Sequence, residues 1–190
     1  MTVDGETYAG SSTTLKVIWE KNAAARAALR DEVRGLSEAQ LGFRPAPSHW
    51  SIGEILDHLC LAERAMIRSI SRLLQHAAGL GQIAEPGSME TPSHGIDHDL
   101  YNRPAGAPES VLPSPDRPLE RLLAGLEESR ERLQEVTKRA EGRVVGNVTL
   151  PHFQLGELNF YQWLAVQGAH EAKHLAQIRR IKASPAFPKQ

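Results

Sequence analysis

Val166-Gln167-Gly168-Ala169-His170-Glu171-Ala172-Lys173-His174-Leu175-Ala176-Gln177-Ile178 is the stretch on which the reading of this chain turns. Histidines four residues apart on a helix lie on one face, about 6 Å apart along the axis, so one divalent metal can bridge them. The flanking pattern is helical: at about 100° per residue, Trp163, Val166, Gln167, His170, His174, Gln177, Ile178 and Ile181 fall in a single stripe. The imidazoles therefore point where a core should be. Buried imidazoles need partners for both ring nitrogens, and the pair alone fits two readings. They are ligands of one metal, or they are interface histidines bonded to carbonyls or to Gln167 and Gln177. A third histidine on a facing helix favours the metal, and His58 in Trp50-Ser51-Ile52-Gly53-Glu54-Ile55-Leu56-Asp57-His58-Leu59 sits at the edge of an apolar stripe.

Working outward, the histidine-bearing helix is expected from about Gly156 to Ile181, followed by a loose tail over 182–190 marked by Pro185 and Pro188. Before it, Val144 to Leu150 reads as a short strand or extended turn. Leu119, Leu122, Leu126, Leu133 and Val136 mark a third helix with Asp116 near its start. Helix two opens at Ser51-Ile52-Gly53-Glu54, a capping box, and carries Ile55, Leu59, Ala62, Met66, Ile70 and Leu73 until it fades near Gly79. Helix one spans about residues 11–36, with Leu15, Ile18, Trp19, Asn22, Ala25, Leu29, Val33 and Leu36 recurring at spacings of three and four. Ser37-Glu38-Ala39-Gln40 offers a capped turn, and Pro45-Ala46-Pro47 breaks the chain. Between Ala84 and Pro118 lie seven of the twelve prolines and no sustained periodicity. That segment is expected as a long insert outside the bundle core, lying over its open end or a partner subunit. The expected fold class is all-α: one domain over 1–190, an up-and-down four-helix bundle with the 84–118 insert between helices two and three.

Composition narrows the function. With 22 Lys+Arg against 23 Asp+Glu in 190 residues and no long block of either sign, the footprint of a nucleic-acid binder is absent. No apolar run of about 18 residues suggests a membrane span, and the N-terminal residues resemble no secretory signal. Cys60 is the single cysteine, so no intrachain disulfide forms. A soluble, cytoplasmic protein is expected.

Other polar residues have competing assignments. Glu54 lies one turn before His58 and could orient it or act as a base, although its capping position explains it without chemistry. Glu63 falls in helix two's apolar stripe, where it pairs with a cation, supports a histidine N–H or reaches solvent. These two are the weak candidates for catalysis. Glu171 and Lys173 project away from the shared face and are expected in solvent. Tyr161, Trp163 and Gln167 are candidate pocket residues, with a core role as the alternative for Trp163. His94 and His98 form a rival pair, but Pro92 and Gly95 argue against a stable helix there. His152 is expected to be structural.

Leu36-Ser37-Glu38-Ala39-Gln40-Leu41, Arg44-Pro45-Ala46-Pro47 and Trp50 to Leu59, followed in order by Leu150-Pro151-His152, Gly156-Glu157-Leu158, Trp163-Leu164 and His170 to Ile178, resemble the DinB/YfiT-like superfamily. The resemblance spans most of the chain except the insert. It implies a four-helix bundle, often dimeric, whose metal is held by one histidine of helix two and two of helix four. These positions match His58, His170 and His174. Imidazole suits several metals, with zinc or nickel the first expectation. Three neutral imidazoles leave the ion's full charge to act on a ligand at an open position. The resemblance also implies transfer chemistry with a low-molecular-weight thiol as cosubstrate and a small-molecule substrate. A metal-dependent hydrolase and a non-catalytic, metal-binding, stress-associated bundle are the alternatives. A homodimer is expected, and Cys60, projecting away from His58, is not the nucleophile.

Overall fold

The computed structural model describes residues 13–81, 83–84, 95–103, 105–140, 144–145 and 148–189. Its helices are α1 (Thr13–Val33), α2 (Glu38–Gly42), α3 (Ile52–Gly79), α4 (His98–Asn102), α5 (Leu119–Lys138) and α6 (Phe160–Lys182). The expected all-α bundle forms from the four long ones. Ser51 caps α3, its side chain accepting from Glu54 N–H while the Glu54 carboxylate accepts from Ser51 N–H. Ser37 and Gln40 cap α2 in the same way. The last helix begins four residues later than the periodicity predicts. Gly156–Asn159 forms β4, which pairs antiparallel with β3 (Thr149–His152), and Asn159 and Gln162 then make the capping box that opens α6. Numbering the strands in chain order, β1 (Ile83–Ala84) pairs with β2 (Val144–Val145).

Contacts between side chains set the helix directions. Asn22 meets Leu164 and Glu32 meets Arg179, so α1 and α6 run parallel. His58 meets His170 and Glu63 meets Gln167, so α3 is antiparallel to α6. Cys60 meets Leu122 and Glu63 meets Ser129, which makes α3 and α5 parallel. The expected alternation of directions is therefore modified once: the order is up, down, down, up. Parallel neighbours need a connection that returns along the bundle, and the proline-rich insert is that crossover. Among its described residues Tyr101 and Val111 are buried in the core, correcting the expectation that the insert stays outside it. A crossover laid along a helical groove must cover apolar surface, and these two side chains do so. Residues 183–189 are not loose either. Phe187 meets Phe43 edge to face at 5.5 Å, and Gln40 Nε2 donates to the Pro188 carbonyl at 3.0 Å.

The apolar core falls into two clusters. One gathers Leu15, Ile18, Ile70, Leu73 and Phe160, the other Leu29, Val33, Ile55, Leu56 and Ile178. Between them lies a charged layer with a member from every long helix. The Arg26 guanidinium donates to Glu171 from Nε at 2.8 Å and to Glu63 from Nη2 at 2.7 Å. Arg130 lies 3.2 Å from Glu171. Ser129 Oγ donates to Glu63, and Gln167 Nε2 donates to Glu63 at 2.8 Å and to Glu171 at 3.0 Å. Two guanidiniums balance two carboxylates. Above this layer α1 and α6 approach closely at Gly168, where an added Cβ would collide with Asn22 Oδ1 and come within 3.3 Å of Asn22 Cα.

Gly168→Ala is expected to lower stability by about 2 kcal/mol, since backbone as well as side chain must shift to admit the methyl. Urea unfolding of both proteins checks this. Glu171→Ala is expected to cost about 3 kcal/mol or more, because it strands one buried guanidinium without its carboxylate. An unchanged denaturation midpoint for that variant would show that the charged layer contributes little to stability.

Candidate metal centre

α3 and α6 bring the three predicted histidines together. His58 Nε2 and His174 Nε2 each lie 3.2 Å from His170 Nε2, and one ligand atom from each ring lies within 4.8 Å of the others. The opposite ring atoms decide the tautomers. His58 Nδ1–H donates to the Val111 carbonyl at 2.8 Å, and His174 Nδ1–H donates to Gln177 Oε1 at 2.9 Å. Both Nε2 lone pairs therefore face His170. A single proton on His170 can satisfy only one of them, whereas one cation satisfies all three. An ion bound tetrahedrally at about 2.1 Å would separate its nitrogen ligands by about 3.4 Å, close to the observed spacing. The donor set fits a divalent metal.

Burial keeps these rings neutral and therefore able to act as ligands. It pushes His174 down to about 4, with the neighbouring His58 adding to the effect. His170 is lowered well below the ordinary histidine value by burial and then by His174 and His58. His58 is lowered by burial too, against the opposing pull of its Val111 hydrogen bond. Trp50, just before the α3 cap, packs its ring 4.8 Å from His58 and 6.5 Å from His174. Asp57, beside His58, accepts from Ser114 N–H at 2.8 Å and lies 3.3 Å from Arg117, which fastens the crossover where Val111 meets His58.

The imidazoles open onto a cavity of about 390 Å³ walled by Trp50, Met66, Tyr101, Phe153 and Trp163. Trp163 lines it and also belongs to the buried core, so both roles the sequence left open for it are met. Tyr161 does not: it is 1% exposed and packs against Phe160 in the core. Gln167 is withheld as well, since its amide serves the charged layer. Glu63 belongs to that layer, and Glu54 is held by its cap and by Arg44 at 2.5 Å, so neither weak catalytic candidate lines the cavity. Glu171 is the clearest departure from expectation, because solvent was its predicted place and it is 1% exposed. The sequence could not show that Arg26 and Arg130 wait for it inside. Lys173 is half-buried, donating to the Tyr101 carbonyl at 2.9 Å with its ammonium 4.8 Å from the Tyr101 ring centre.

His152 lines the cavity but is structural, as expected, its Nδ1 accepting from Gln154 and Leu155 N–H at the β3–β4 turn. His94 of the rival pair lies outside the described residues, and His98 opens the five-residue α4. Cys60 is buried, its Sγ faces the Leu122 carbonyl, and burial raises its thiol to about 11, in keeping with its exclusion as a nucleophile. Val111, Tyr101 and Lys173 were missed as site residues. A backbone carbonyl on a proline-rich connection has no side-chain signal that could have found it.

Comparison with known proteins bears on this geometry. A family model described as the DinB superfamily matches residues 22–178, spanning all three histidines. The uncharacterized protein YuaE of Bacillus subtilis (strain 168) is 28% identical over 164 residues, covering 83% of this chain and 93% of that protein. The crystal structure of TT2238, a four-helix bundle protein, superposes with a TM-score of 0.61 at 23% identity, covering 87% of this chain and 98% of that one. That likeness concerns the fold alone. Among the described residues no helix is long and apolar enough to cross a membrane.

The depressed histidines predict a pH dependence for the metal-free protein. Unfolding returns His174 from about 4 to an ordinary value of about 6.5. Between those values the unfolded chain binds more protons, so stability falls as pH falls through that window. His174 alone is expected to contribute on the order of 2 kcal/mol to the difference between chemical denaturation at pH 7 and at pH 5, a share that His174→Ala should lose. Stability rising toward pH 5 would contradict it.

Proposed function

The chain belongs to the DinB superfamily, and on that premise we propose that it is a metal-dependent enzyme of the thiol S-transferase type, acting on a small-molecule substrate. His58, His170 and His174 hold the ion, zinc or nickel being the metals of first choice for this ligand set. A divalent ion there supplies Lewis acidity, which acidifies a thiol or water bound to it. The observation that carries the reading is a cavity with three neutral imidazoles at one end and, among the described residues, no Asp or Glu in its lining.

That lining favours transfer over hydrolysis. Attack by water on an ester or amide calls for a general base and a general acid in reach, and the two glutamates considered for that work are engaged in a helix cap and an ion layer. A thiol needs less assistance, because it is the more acidic nucleophile. The protein's own residues then position the reactants. Val111 and Gln177 orient the imidazoles, while Trp50, Met66 and Trp163 offer apolar walls to the electrophile. Tyr101, Ala107, Pro108 and Val111 of the crossover form part of the cavity wall.

Elemental analysis after purification without added metal is expected to find about one divalent ion per chain, and less than about a tenth of that in the His170→Ala/His174→Ala variant. The metal-bearing protein should then accelerate conjugation of a small thiol to 1-chloro-2,4-dinitrobenzene. In that reaction the S–C bond forms, the C–Cl bond breaks, chloride leaves and the thiol proton passes to solvent. Turnover of nitrophenyl esters without thiol would favour hydrolysis instead. Full metal content with neither activity would point to a non-catalytic metal-binding bundle.

A further inference from the structure

Among the described residues, the charged ones lining the cavity are Lys173 and Arg103, and no carboxylate accompanies them there. In a chain with 22 basic and 23 acidic residues, a pocket with only one sign of charge is a departure from the average surface. Lys173 forms no ion pair among the described residues. One of its three N–H groups donates to the Tyr101 carbonyl, and the Tyr101 ring lies beside its ammonium. Two donors and the full charge remain. Arg103 is exposed and also lines the cavity. The rest of the wall is mostly apolar or aromatic: Trp50, Ala62, Met66, Phe153 and Trp163.

We infer that this cavity takes a small organic carboxylate, with a ring-sized apolar body against Trp50, Met66 and Trp163 and its carboxylate against Lys173 and Arg103. The inference deepens the proposed function by naming the substrate's chemical class, and it rests on the same cavity. A carboxylate supplies acceptors for the two free Lys173 donors and neutralises a half-buried charge, which a neutral analogue cannot do. A cavity of about 390 Å³ is the size of a small-molecule site.

Phenylacetate and its neutral isostere phenylacetamide are the probes, titrated by calorimetry into chelator-treated and metal-loaded protein. In both forms the acid is expected to bind about tenfold more tightly than the amide. Lys173→Met should remove that preference while retaining metal, Lys173→Arg should restore most of it, and Arg103→Gln should weaken the acid about threefold. Equal affinities for acid and amide in the unmodified protein would overturn the inference. So would a preference that survives Lys173→Met, or acid binding weaker than about 10 mM. Metal content is read separately. Protein that holds no metal but prefers the acid would support the inference and defeat the metal-site reading. Protein that holds metal but treats acid and amide alike would do the reverse.

Discussion

Two guanidiniums and two carboxylates buried between apolar clusters are the constraint on which the rest of the bundle depends. Arg26 of α1, Glu63 of α3, Arg130 of α5 and Glu171 of α6 meet within one layer. Taking charges out of water is expensive, and the cost is offset only when geometry and hydrogen bonding are close to complete. An apolar core tolerates rotation of a helix by a fraction of a turn, because many packings bury similar area. An ion layer does not. Each long helix must present one particular residue at one height, which determines rotation and axial register together.

The histidine cluster inherits that precision. Glu171 is the immediate neighbour of His170, and Gln167 precedes His170 by about one helical turn, so engaging both in the layer fixes the face that α6 turns toward α3. Glu63 does the same for α3, slightly more than a turn beyond His58. With both helices held, the three Nε2 atoms converge, and the Val111 carbonyl on the crossover orients the His58 ring. Glu63 and Glu171 are therefore supports, and the described lining of the cavity is neutral imidazole, apolar surface, uncharged polar side chains, Lys173 and Arg103.

The crossover adds the remaining wall. Parallel α3 and α5 oblige the chain to travel back along the bundle, and the returning segment passes beside the imidazoles. Val111 contributes a carbonyl to His58 and Tyr101 contributes a carbonyl and a ring face to Lys173. Asp57 holds the end of that segment through Ser114 and Arg117. A connection required by topology thus becomes the roof of the cavity, and it also sets the tautomer of one imidazole.

The amino-acid sequence alone determined the four long helices and the pairing of His170 with His174, while His58 joined them through the family resemblance. Periodicities of three and four marked the long helices, Ser51 with Glu54 marked the start of α3, and the spacing of His170 and His174 put two imidazoles on one face. Those are local properties, decided by neighbours within a turn or two. Tertiary structure decided the rest, because it depends on partners far away along the chain. Glu171 reads as a surface residue until Arg26, 145 positions away, is placed beside it. Gln167 and Tyr161 sit on a helix that also bears site residues, yet only packing shows that one serves the ion layer and the other the core. The parallel course of α3 and α5 and the path of the crossover leave no periodic trace either. They follow from which apolar faces and buried charges must meet, a condition that exists only once all four helices are together.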